Sequence, residues 1–194
     1  MYEYIKEVPL TSEANIDKRI QKTLLALRES FFDLVLTYSY DEIKVSHIIE
    51  KANVGRSTFY QHYRSKDDIL VVSMSKLLDD LAMSVTPKDN LTVITELMDH
   101  FWENRQFAPK IFSGTARRVV VQALAERIQC QLKQQLKASM QQTPVPLNIA
   151  AHQIAEAQLV PCIDWLLGKG RCTTQEMAQC IEDSTKALVG AYMG

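Results

Sequence analysis

Residues that break helices are scarce in this chain: 6 glycines and 6 prolines among 194 residues. No stretch alternates apolar with polar side chains for long, so sheets of short strands and tight turns are excluded in favour of helices. No apolar run reaches the roughly 18 residues of a spanning helix, and the opening Met1-Tyr-Glu-Tyr-Ile-Lys-Glu is charged throughout. The expectation is a cytoplasmic protein with no membrane partner. Cys130, Cys162, Cys172 and Cys180 form no C-x-x-C pair and have no histidine at zinc spacing. Free, half-buried thiols are therefore expected, with no metal. Also missing are a nucleophile elbow, a P-loop, a Rossmann glycine series and HExxH, and His47, His62, His100 and His152 lack an acid or cysteine at motif spacing. The chain is not expected to be an enzyme or to hold a cofactor. A global excess of positive charge is absent too, since the net charge is -1. A protein that coats nucleic acid without specificity is usually basic overall.

What is there is concentrated. Residues 44–66 carry Lys44, Lys51, Arg56, Arg64 and Lys66 against Glu50 alone, a local charge of +4 in a chain of net -1. Ile48, Ile49 and Ala52 recur at helical spacing, which predicts a short helix over Ser46–Lys51. Asn53 ends it, because asparagine adopts the left-handed conformation of a sharp turn more easily than any residue but glycine. Val54 can plug the gap between crossing helices, and Gly55 suits the cap of a second helix, Arg56–Tyr63. Phe59 and Tyr63, four apart, face inward as core. The outer surface falls to Arg56, Ser57, Thr58, Tyr60, Gln61 and His62, a donor-rich face that is costly to bury and suited to DNA. Ser65 with Asp68 resembles a capping box that opens a third helix at Lys66.

Such a helix-turn-helix lays its second helix in the major groove of double-stranded DNA, with its first residues at base edges. Arg56 can donate bidentately to a guanine, Ser57 and Thr58 can serve several bases, and Tyr60, His62 and Lys66 can hold phosphates. Ser46 and Gln61 complete the candidate DNA-binding set.

The run Ile48-Ile-Glu-Lys-Ala-Asn-Val-Gly-Arg-Ser-Thr-Phe-Tyr-Gln-His-Tyr-Arg-Ser-Lys66 resembles the DNA-binding domain of the tetracycline-repressor (TetR) family of bacterial transcription regulators. An apolar pair, Ala-Gly-Val, Thr-aromatic-Tyr, His-aromatic and a Lys recur there in this order, and the likeness covers about a third of the chain with the preceding helix included. Asn53 stands for the usual Gly, Gly55 for a Ser cap, Ile49 for an Ala and Lys44 for a Thr cap. The resemblance implies that Tyr60, His62 and Lys66 touch the DNA backbone while Arg56, Ser57 and Thr58 lie near bases. It also implies a dimer paired through the last two helices, most often a repressor.

Elsewhere, residues 1–15 read as a flexible arm. A first helix over Asp17–Thr37, capped by Asn15 or Asp17, bears the stripe Ile20, Leu24, Leu27, Phe31, Leu34, Val35 and Tyr38, with Lys18, Arg19 and Lys22 able to touch phosphate at its start. The expected fold is all-α: a three-helix DNA-binding domain over residues 16–66, joined by one long helix from Lys66 to about Ser84 to a C-terminal effector-binding and dimerisation domain over 67–194. Further helices are expected over Leu91–Arg105, Phe107–Phe112, Ala116–Ser139, Asn148–Leu167 and Thr174–Met193, broken at Gly114, 143–146 and 168–170. In the last, Met177, Cys180, Ile181, Ser184, Ala187, Leu188, Ala191 and Tyr192 form a narrow seam fit for a homodimer interface. Such a dimer sets its reading helices roughly 34 to 36 Å apart on a near-palindromic site.

Met98, His100, Phe101, Trp102 and Phe107 place aromatics, a thioether and one titratable ring around Pro109, a mix suited to an apolar small-molecule effector pocket with a polar handle. Pro161 is expected to kink its helix. Three functions stay open: a dimeric ligand-responsive transcription regulator; a helical small-molecule carrier on the same scaffold without a DNA role; and a DNA-bound factor that recruits another protein. The basic patch favours the first over the second.

Overall fold

A computed structural model describes residues 18–139 and 144–193. Ten α-helices and two short 3-10 turns account for most of them, with no strand among the described residues. The expected arm, 1–15, and the proposed caps Asn15 and Asp17 lie outside the described residues.

In order the helices are α1 (Lys18–Thr37), α2 (Val45–Ala52), α3 (Arg56–His62), α4 (Lys66–Ser73), α5 (Ser75–Met83), α6 (Leu91–Glu103), α7 (Ala108–Ile111), α8 (Gly114–Ser139), α9 (Leu147–Leu166) and α10 (Thr174–Met193). The 3-10 turns are Tyr40–Glu42 and Arg105–Phe107. None of the described helices is long and apolar enough to cross a membrane. The single long helix expected after Lys66 is two helices. Met74 leaves helical geometry at φ -97, ψ 4, and its amide still bonds back to Leu70. Apolar periodicity runs through this break unaltered, which hides it from the sequence.

The chain divides into two compact units. One consists of the residues up to Lys76 together with Lys110–Val119, the other of Leu77–Pro109 with Val120 onward. In the first, α1 packs chiefly on α2 and also on α4. Leu27, Phe31, Val35, Ile43, Ile48, Phe59, Ile69 and Leu70 form its buried core. Burying each such side chain contributes roughly 1.5–3 kcal/mol. Two members of the expected α1 stripe stand outside that core, Ile20 and Tyr38, both exposed at the ends of the helix. Arg28 is buried instead, beside the Tyr63 phenol.

In the second unit α10 packs on α6 and α9. α9 runs through Pro161 and stops at Gly168, whose φ of 76 suits glycine. There the amides of Gly168 and Lys169 close on the carbonyls of Trp165 and Asp164. Gln158 is the centre of a buried polar node on α9. Its amide nitrogen donates to Ser84 Oγ at 2.8 Å, Thr185 Oγ1 at 3.1 Å and the Leu81 carbonyl at 3.3 Å.

Candidate nucleic-acid interface

The exposed face of α3 starts from one left-handed residue. Asn53 sits at φ 52, ψ 46, the one described non-glycine residue with positive φ. It turns the chain between α2 and α3, where the amides of Asn53 and Val54 close on the carbonyls of Glu50 and Ile49. Gly55 caps α3 in extended geometry, as expected. Lys44 precedes α2 without a side-chain cap, and the His47 ring accepts the Lys44 amide at 3.4 Å, the return half of a capping box without the hydroxyl half a threonine would bring.

α3 then separates its faces. Phe59 and Tyr63 are buried with their rings tilted at 46° and 5.9 Å apart, while Arg56, Ser57, Tyr60 and Gln61 are exposed and Thr58 and His62 half-buried. Burial pushes the Tyr63 phenol above its ordinary range, with the Arg28 charge opposing the shift. Tyr60 leaves 48% of its surface in solvent, held upright by an edge contact with Phe59 at 5.2 Å, and the Arg56 guanidinium lies 5.7 Å from its ring centre. Arginine and tyrosine therefore stand together at the start of α3, and Ser46 on α2 is exposed.

A second basic feature flanks this helix. Lys18, Arg19, Lys22, Thr23 and Ala26 of α1 line a shallow concavity of about 420 Å³ with Ala52, Asn53 and Val54 of the turn. The α1 cations thus meet the turn just before Arg56, a closeness that residue spacing does not reveal.

Lys66 is placed otherwise than at an open surface. Its ammonium donates to the carbonyls of Tyr40 at 2.6 Å and Ile43 at 2.9 Å and lies 4.4 Å from the centre of the Tyr40 ring. Ser65 does cap α4, accepting the amides of Asp67 and Asp68. The returning carboxylate of Asp68 takes the amide of Arg64, one residue earlier than a capping box requires.

The five effector candidates differ in exposure. Met98, Phe101 and Phe107 are buried. Trp102 is 41% exposed, stacked on Trp165 at 4.9 Å with Arg105 over it at 4.7 Å. His100 is half-buried, with the Asn104 amide 3.4 Å from its Nδ1. Trp165, buried and bonded to the Cys172 carbonyl, explains the Trp102 position, and no periodicity pairs two tryptophans 63 positions apart in this way.

The four cysteines are free, Cys162 buried, Cys172 half-buried, Cys130 and Cys180 exposed. No cluster of three or more histidine, cysteine or acidic side chains that could hold a metal occurs among the described residues.

Residues 33–72 match the family described as bacterial regulatory proteins, tetR family. That segment contains the whole of α2, the turn and α3. An uncharacterized HTH-type transcriptional regulator of Bacillus subtilis strain 168, YxbF, is 33% identical over 82 residues, 40% of this chain. The match spans only 22% of that protein's length. Among solved structures, a chain from Syntrophomonas wolfei classed with the TetR-family transcriptional regulators superposes with a TM-score of 0.55 at 22% identity, covering 89% of this chain and 95% of the other. A TetR transcriptional regulator from Streptococcus agalactiae 2603V gives 0.52 at 21% identity, over 87% and 96%. The fold is shared with these proteins, and the segment that matches in sequence is the one that builds the exposed face of α3. The proteins it resembles are transcriptional regulators.

Proposed function

We propose that the chain is a TetR-family transcriptional regulator that binds a near-palindromic operator as a homodimer, most often to repress, and answers to a small-molecule effector. The observation that carries this reading is the outer face of α3, where Arg56, Ser57, Tyr60 and Gln61 are exposed above a buried Phe59 and Tyr63. A free surface that concentrates arginine, hydroxyls and amides is matched to the donors and acceptors of the major groove. Arg56 is assigned to a guanine edge, with Ser57 and Thr58 to neighbouring bases. Tyr60, His62 and Gln61 are assigned to sugar-phosphate beside them, with Ser46 on the far side of the turn. The α1 concavity adds Lys22 and Lys18 as phosphate contacts that flank the base-reading helix.

Pairing of two copies is assigned to α9 and α10. Ile149, Val160 and Leu167 are exposed along or just beyond α9, and Cys180, Ala187 and Ala191 along α10. Apolar side chains left in contact with water along two adjacent helices favour a packed partner. Met177 and Ile181, counted in the seam from the sequence, face the interior of the unit. The effector is assigned to the second unit, with Met98, Phe101 and Phe107 on the apolar side and His100 as the polar handle. Trp102, facing solvent, is left outside that pocket.

Selection of bound sequences from a random duplex pool tests the reading. The expected product is a motif of two inverted half-sites. Recovery of no enriched sequence in dilute salt overturns the DNA role, and an enriched single half-site overturns the two-fold dimer.

A further inference from the structure

We infer that Lys66 is a positioning residue that ties the entry of the helix-turn-helix to its exit, and not a ligand of DNA phosphate. This rests on the DNA-binding reading of α3. As the first residue of α4, Lys66 puts a cation at the positive end of a helix, where the aligned peptide dipoles disfavour it. Its ammonium turns away from that end to the 3-10 turn between α1 and α2, where it donates to the carbonyls of Tyr40 and Ile43. The Tyr40 carbonyl also accepts the Ile43 amide within the turn, while the Ile43 carbonyl stands at its close, where a lysine can supply a donor the turn does not.

The Tyr40 side chain closes the contact from the other side. Its ring, 4% exposed, lies beneath the ammonium and meets Phe31 of α1 edge-on at 6.2 Å, while its hydroxyl donates to the Asp67 carboxylate next to Lys66. Burial and that carboxylate raise the phenol well above its ordinary range, so the hydroxyl keeps its proton as the donor. Ile43 stands immediately before Lys44, which opens α2, and Lys66 immediately after Ser65, which caps α4. The two ends of the 44–65 segment are therefore pinned to each other through one ammonium and one phenol. With two of its three N–H groups directed at carbonyls, Lys66 sets the attitude of α3 instead of holding the duplex. The Ile43 amide, which bonds to the same Tyr40 carbonyl that Lys66 caps, reports on the contact.

The test uses the full chain and the duplex enriched by selection, with a scrambled duplex as reference. Amide hydrogen exchange of the free protein at Glu42 and Ile43 is measured for wild type and Lys66→Ala, together with the slope of log affinity against log salt. The expected result is exchange at Ile43 faster by about tenfold, a salt slope equal to that of wild type, and a larger loss of affinity for the selected duplex than for the scrambled one. A slope shallower by about 0.9, the loss of one phosphate contact, with equal losses on both duplexes and an unchanged Ile43 amide overturns the inference. Should the alanine variant fail to fold, Tyr40→Phe carries the same measurement, and unchanged exchange at Ile43 overturns the inference there. If wild type binds no duplex, the DNA reading fails by itself, while the exchange result still decides whether Lys66 pins the turn.

Discussion

α3 and α10 differ in what they leave in water. On α3 the aromatics go inward and the polar side chains outward, leaving Arg56, Ser57, Tyr60 and Gln61 in water. On α10 Glu182 and Thr185 are buried along with Met177, Ala178 and Ile181, and Cys180, Ala187 and Ala191 are turned out among Gln179, Asp183 and Lys186. A helix that exposes hydrogen-bond donors is built to meet a polar, charged partner. One that leaves small apolar groups in water between polar ones offers a surface another helix can cover. On the proposed reading the two units divide the work of recognition and of assembly.

The largest effect expected is on the inner side of that division. Phe59→Ala empties a fully buried site under α3 and is expected to cost about 3–5 kcal/mol, seen as loss of the cooperative melting of the first unit. A stable, cooperative variant would break the claim that Phe59 is the keystone of the reading helix. In the second unit, Gln158→Leu removes the amide that joins α5, α9 and α10 and leaves the Ser84 and Thr185 hydroxyls without it. A destabilisation of about 1–3 kcal/mol is expected by denaturant unfolding, and a gain in stability would show the node to be dispensable.

Asn53→Ala should cost about 1–2 kcal/mol, because a Cβ branch at left-handed φ has no polar side chain to offset it, whereas Asn53→Gly should match or exceed wild type. Equal melting for the alanine and glycine variants would contradict the geometry of the turn. Cysteine chemistry separates surface from interior with a smaller effect. Burial pushes the Cys162 thiol up to about 12, so it stays protonated in the fold where an unfolded chain would already ionise. Stability is therefore full below the ordinary thiol range and declines as pH rises from that range toward about 12. Titration with a disulfide reagent at neutral pH should label Cys130 and Cys180 at once and Cys162 only with unfolding, and prompt labelling of Cys162 would show α9 to open readily. Lys22→Ala should change least, lowering the salt slope of DNA binding by about 0.9 with little change in sequence preference, and an unaltered slope would remove the α1 concavity from the interface.

Much of the first unit was legible because its information is local. The Asn53 turn, the Gly55 cap and the inward pair Phe59 and Tyr63 all follow from spacing within a few residues, and each stands as expected. The helices of the second unit were also found nearly to their ends by periodicity. What escaped depends on partners distant in sequence: the Lys66 ammonium on Tyr40 and Ile43, the meeting of the α1 cations with the turn, the stacking of Trp102 on Trp165, and the Gln158 node. The break at Met74 escaped for a different reason. A one-residue departure from helical geometry alters neither composition nor apolar phase, and no proline or glycine marks it.

The central claim, that the exposed face at the start of α3 reads bases, is tested most directly by Arg56→Ala against the selected duplex and its set of single-base variants. The account predicts a loss of about 1–3 kcal/mol confined to duplexes that keep one particular base pair, so that discrimination vanishes at that position and persists at the others. Equal losses on every duplex, random sequence included, would contradict it and make Arg56 one more phosphate contact.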